Sequence, residues 1–168
     1  MFPVYSKMLL AGAVILTGVA MQAAETPVVN LLRKSDVMTA GEWTAFSKEA
    51  VVKESSVAGP AEGIKAFEVK ISKYGYMGQV IKAAVPGHTY RFTIWMKSLN
   101  GARLNVTLAC ENNPPGKLAD FKSFPVTGEW QKFTLTGKCP ESGNQNFRFS
   151  IRGCEILAAA PEVVDVTP

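Results

Sequence analysis

The stretch that most constrains this chain is residues 89–97, TYRFTIWMK. Side chains alternate along a strand with period two. Tyr90, Phe92, Ile94 and Met96 therefore share one face, and Arg91, Thr93, Trp95 and Lys97 share the other. The first face is a core row. The second is polar yet carries an indole, which a face that only meets water has no need of. A preceding strand containing Gln79 and Ile81 leads into this one through the turn Val85-Pro86-Gly87-His88, and the two read as a hairpin.

The same alternation recurs along the chain. Strands are expected at 28–32, at 50–53 and at 64–72, where Phe67, Val69 and Ile71 are in phase. Residues 102–109 follow, with Leu104, Val106 and Leu108 inward and Asn105 and Thr107 outward. Further strands are expected at 119–126, 129–136, 146–152 (Phe147, Phe149 and Ile151 inward), 155–159 and 163–166. Residues 73–78, 110–118 and 137–144 read as turns or loops, and Asn100-Gly101 as a hairpin turn. Beyond residue 25 no segment sustains the i, i+3, i+4 apolar pattern of a helix. The expected fold is all-β: a jelly-roll β-sandwich of two antiparallel sheets. With 168 residues, 47% hydrophobic and 19% charged, one domain can bury a sizeable core.

Residues 1–24 stand apart. Lys7 precedes an apolar run over 8–20, and small residues follow in AMQAAE. This is the pattern of a secretory signal, which leaves residues 25–168 as the mature domain. The apolar run is short for a bilayer span of about 20 residues. A secreted or periplasmic protein with no membrane span in its mature chain is expected. Its formal charge falls from +4 to +3 once Lys7 is removed, and no Lys/Arg block suggests nucleic acid. Cys110, Cys139 and Cys154 allow three single disulfide pairings, between which the sequence does not choose. One histidine and no CxxC argue against a transition-metal site. No nucleophile elbow, His pair or phosphate loop suggests an enzyme. Glu129 lacks the second facing carboxylate that glycoside hydrolysis requires.

The order of landmarks carries a resemblance. Asn30-Leu31-Leu32 is followed by Trp43, by Gln79, then by Pro86-Gly87-His88-Thr89-Tyr90-Arg91-Phe92-Thr93-Ile94-Trp95, by Gly128-Glu129-Trp130-Gln131-Lys132-Phe133 and by residues 147–151. This resembles the carbohydrate-binding modules of the families 4 and 9 type, which are galactose-binding-like jelly rolls. The resemblance implies non-catalytic binding of a poly- or oligosaccharide. The alternative is a structural or protein-interaction module of the cell envelope or matrix on the same scaffold. It also implies a structural calcium, for which Asp36, Glu42 and Asp165 are the acidic residues at hand. The Asp-Asp pair often found before the last strand is replaced by Ala158-Ala159-Ala160-Pro161, so no cofactor is expected.

Sugar rings present apolar C–H faces, so a site needs flat aromatic platforms beside polar side chains that bond hydroxyls. Phase directs Arg91, Trp95, Asn105 and Arg148 away from the core. Gln79 joins them by resemblance, and Tyr74 and Tyr76 are placed to wall the rim from a Gly-rich loop. These seven are the expected ligand-binding residues. Trp43 and Trp130 are expected to seal the ends of the sandwich.

Overall fold

The computed structural model describes residues 29–168 except 34–37, 39–42, 46–49, 113–116 and 142–146. Ten strands are present among them: β1 (Thr44–Ala45), β2 (Val51–Glu54), β3 (Ala66–Lys70), β4 (Tyr76–Val80), β5 (Thr89–Ser98), β6 (Leu104–Asn112), β7 (Lys117–Val126), β8 (Gln131–Lys138), β9 (Arg148–Arg152) and β10 (Glu155–Asp165). They form two five-stranded antiparallel sheets. Sheet A has the order β1-β4-β9-β6-β7, and sheet B the order β2-β3-β10-β5-β8. This is the all-β sandwich that the alternation predicts.

The core row of β5 is as expected: Tyr90, Phe92, Ile94 and Met96 are fully buried. They meet Phe147, just before β9, and the inward residues of β9 across the sandwich. Tyr90 packs on Phe147 at 5.4 Å between ring centroids, and Phe92 on Phe149 at 5.3 Å. Tilted rings at this spacing add to the area they bury. Phe124 of β7 and Phe133 of β8 repeat the contact at 5.2 Å. Trp43 is buried and lies 6.4 Å from Phe92, so it belongs to the core. The half-buried Trp130 donates its indole N–H to the Ala58 carbonyl at 3.1 Å and closes one edge.

Several expectations about connections are corrected. Only β2–β3 and β6–β7 pair with their neighbour in sequence; every other connection passes from one sheet to the other. The turn before β5 is therefore not a hairpin, since β4 lies in sheet A and β5 in sheet B. Asn100-Gly101 likewise arches across the sandwich instead of closing a ladder. The alternation on each side of a turn reads the same whether the strands pair or face each other. Residues 29–33 form no strand; Leu31 makes a single backbone bond to the Val163 carbonyl. Tyr76-Met77-Gly78, read as turn, begins β4, and β6 and β7 extend into what read as a loop over 110–118. The last two expected strands are one, β10, broken by a bulge. Cys110, Cys139 and Cys154 are all buried free thiols, and none pairs. Burial drives the Cys154 thiol up to about 12.

Candidate binding faces

Each sheet has an outward face, and the two point in opposite directions. On sheet A the register aligns Tyr76, Arg152, Thr107 and Ser123 in one row across β4, β9, β6 and β7. Gly78, Ser150, Ala109 and Phe121 form the next row, and Val80, Arg148 and Glu111 the third. The middle row is small at its centre. Gly78 has no freedom to be larger, because a Cβ there would collide with the Phe149 carbonyl of the neighbouring strand. At the far edge Phe121 is 64% exposed.

Charge is buried within the third row of this face. Glu111 is 0% and Arg148 2% exposed. Glu111 Oε1 accepts from the Ser150 hydroxyl at 2.7 Å and from Arg152 Nη2 at 2.8 Å, while Oε2 lies 3.8 Å from Arg148 Nε. The Arg152 guanidinium stacks on the Tyr76 ring, 4.7 Å from its centroid. Thr107 and Ser123 share a hydroxyl hydrogen bond of 2.8 Å. Desolvating such ions is costly unless they are paired and bonded. A sheet face gains nothing in packing from them. What they supply is a fixed direction for the donors that surround Tyr76.

Sheet B carries a different feature. Its outward face holds a cavity of about 520 Å³ with Trp95 in its lining, together with Thr93, Lys132, Lys65, Ile64 and Glu162. The bulge of β10 shapes it. Ala159 pairs with Trp95 and Glu162 with Thr93, so Ala160 and Pro161 stand opposite the single residue Ile94. A bulge suits a proline, which has no N–H for the ladder. Ala160 sits at φ 42°, a left-handed value that L-residues rarely adopt. Asn30 holds the bulge on both sides. Its Nδ2 donates to the Pro161 carbonyl at 3.1 Å, and its Oδ1 accepts from Val163 N at 3.0 Å and Leu32 N at 3.1 Å.

Comparison with known proteins identifies the chain. The carbohydrate binding domain family of the 4/9 type matches residues 30–154. The chain belongs to this carbohydrate-binding family. Solved structures agree on the fold. The CBM22-1 xylan-binding domain of Xyn10C from Paenibacillus barcinonensis superposes with a TM-score of 0.64 at 11% identity, over 84% of this chain and 97% of that one. A family 4 module gives a TM-score of 0.53 at 17% identity, covering 84% and 95%. A CBM 22 xylan-binding domain gives 0.53 at 17% identity, covering 77% and 89%. No relative was found among curated protein sequences. The activity of the module is accordingly carbohydrate binding.

The seven expected ligand residues of this module do not form one site. Tyr76, Asn105 and Arg148 lie on the outward face of sheet A, and Arg91 and Trp95 on that of sheet B. Residues that alternate away from the core in different sheets diverge, which strand phase alone does not reveal. Gln79 is corrected outright. It pairs with Phe149 on the interior side and is buried, and its amide is committed to the Arg33 backbone, accepting from N at 2.6 Å and donating to O at 3.2 Å. Tyr74 is 88% exposed beside Lys73. Arg91 is exposed and outside the Trp95 cavity.

Glu111 is absent from the expected set, and Arg152, which the same phase as Arg148 directs outward, is not among the seven. Glu111 fell in a segment read as loop, although it continues the phase of Asn105, Thr107 and Ala109. Glu162 was hidden because the bulge shifts the phase by one. Of the residues considered for calcium, Asp36 and Glu42 lie outside the described residues. Asp165 is engaged by His88 Nδ1 at 2.7 Å and by the Thr167 backbone at 2.9 Å. No group of three His, Cys, Asp or Glu gathers among the described residues. No helix there is long and apolar enough to cross a membrane.

Proposed function

We propose that the module binds a β-linked polysaccharide such as xylan along the outward face of sheet A, without catalysis, after export directed by residues 1–24. The observation that carries this is the Tyr76–Arg152–Glu111 stack. It sets an aromatic ring beside a guanidinium whose direction is fixed by a buried carboxylate two rows away on the same face. Sugar rings would lie against Tyr76 and Phe121, with Arg152, Thr107 and Ser123 bonding hydroxyls and Asn105 and Tyr74 at the margins. Arg148, buried in the same face, acts through its ion pair with Glu111. By the register, Tyr76 and Phe121 stand three strands and two residues apart, about 16 Å. That span suits a stretch within a glycan chain.

A preformed sheet face avoids the ordering cost that a loop site would incur. In this reading the protein needs no cofactor, and residues 25–168 act as one domain. The test is affinity electrophoresis of that domain in gels containing xylan, β-glucan or mannan. Retardation by at least one polysaccharide, abolished by Tyr76→Ala and Arg152→Ala, is the expected result. Migration unaffected by every polysaccharide would refute the proposal.

A further inference from the structure

The Trp95 cavity takes no part in the face described above, and it lies on the opposite sheet. We infer that it is a second, independent saccharide site, shaped for a neutral sugar or the end of a neutral chain. Three observations lead there.

The first is the mixture of lining groups. Trp95 is a half-buried indole in the middle of an otherwise polar outward row, with Ile64 also lining the cavity. Beside it stand donors and an acceptor. Lys132 is exposed and has no ion-pair partner among the described residues. The Thr93 hydroxyl donates to Glu162 Oε2 at 3.2 Å, which leaves Oε1 open among the described residues. Hydroxyls of a sugar ring both donate and accept, so a carboxylate next to an ammonium suits them.

The second is charge balance. Lys65 and Lys132 are offset by Glu162 and by Glu54, which holds Lys65 Nζ at 3.0 Å. An anionic ligand would face Glu162, and a cationic one the two lysines. A neutral polyol meets neither repulsion.

The third is construction. The cavity exists because a bulge, a left-handed alanine and the Asn30 clamp turn Glu162 outward beside Thr93. Backbone held in a sparsely populated region persists where surrounding contacts enforce it, and it concentrates at ligand sites. The volume of about 520 Å³ falls within the range of small-ligand sites, roughly 300–1,000 Å³. A cavity of this kind would take a short saccharide, whereas the face of sheet A runs along a chain. Two such sites on one domain would let it bridge two glycan strands.

The experiment follows the Trp95 indole N–H resonance of the full mature chain, identified by its loss in Trp95→Phe, during titration with xylohexaose, cellohexaose and mannohexaose. Trigalacturonate serves as the acidic comparison. The expected result is a saturable shift with at least one neutral saccharide. That shift persists in Tyr76→Ala and is weakened about tenfold in Lys132→Ala, an exposed substitution that leaves the fold intact. No shift with any neutral saccharide at about 10 mM, well above a millimolar Kd, would overturn the inference. So would a shift seen only with trigalacturonate, one unchanged in Lys132→Ala, or one that disappears in Tyr76→Ala. Loss of polysaccharide retardation in Tyr76→Ala while the Trp95 shift survives separates this site from the one on sheet A.

Discussion

Glu111→Gln tests the buried charge network with the least change of shape. The carboxylate receives Ser150 Oγ and Arg152 Nη2 on one oxygen and faces Arg148 Nε with the other. An amide must put its NH₂ on one of these sides. Turned one way it opposes Arg152, and turned the other it opposes Arg148; neither guanidinium can accept a hydrogen bond. The substitution therefore sets donor against donor and also removes the negative charge. Breaking a buried pair costs about 3–5 kcal/mol. Arg152 is partly exposed and can turn to solvent, which favours the lower value of about 3 kcal/mol. For a chain of this size that corresponds to a fall in Tm of about 6–12 °C. Circular dichroism melts of wild type and variant at pH 7 and moderate salt measure it. Saccharide affinity should fall as well, because Arg152 loses the group that directs it. A Tm within 2 °C of wild type would refute the reasoning, since the network would then contribute nothing that an amide cannot replace.

Other consequences are as direct. Asn30→Ala removes three hydrogen bonds at the bulge and should destabilise by about 1–3 kcal/mol, read as a lower urea midpoint; an unchanged midpoint would mean the clamp is dispensable. Gln79→Ala should cost a similar amount while leaving the polysaccharide affinity of the folded protein unaltered, and a selective loss of affinity would return Gln79 to the binding face. Burial pushes the Asp165 carboxyl up, but hydrogen bonds from Thr167 and His88 outweigh it and hold it at about 2. Because the folded value lies below the unfolded one, the stabilisation is present above about pH 4 and is lost as pH falls towards 2. Asp165→Asn should abolish that component, so identical melting profiles from pH 2 to 6 for wild type and variant would contradict it. The three buried thiols should react with a thiol reagent only on unfolding, three per chain; fast native labelling, or fewer than three in denaturant, would oppose the assignment.

The core was legible in the sequence because period two survives any topology. Tyr90, Phe92 and Ile94 on β5, Phe147 just before β9, and Phe149 and Ile151 on it, point inward whichever strands they pair with. Pairing itself was not legible. Val85-Pro86-Gly87-His88 and Asn100-Gly101 are good turn sequences, and a turn that reverses a strand within a sheet looks locally like one that carries it over to the other. The same ambiguity scattered the site. Trp95 and Tyr76 were both correctly directed away from the core, but in a sandwich that leaves two opposite destinations. Gln79 misled for another reason: a polar residue in an inward phase can still be satisfied by a neighbouring backbone, here that of Arg33. Glu162 became visible only once the bulge opposite Ile94 was known, because an inserted residue reverses the phase of everything beyond it.

The position of β10 has a consequence for how the chain is made. It is the last of the ten strands, yet it is the middle strand of its sheet, between β3 and β5. During synthesis, β2–β3 on one side and β5–β8 on the other have no ladder between them until residues 155–165 leave the ribosome. Sheet B thus closes in one late step, and a nascent chain lacking that strand exposes two unpaired edges and an open hydrophobic interior. Until that strand arrives the two halves of the sheet cannot join, and the exposed edges and apolar interior are the surfaces most prone to mispairing.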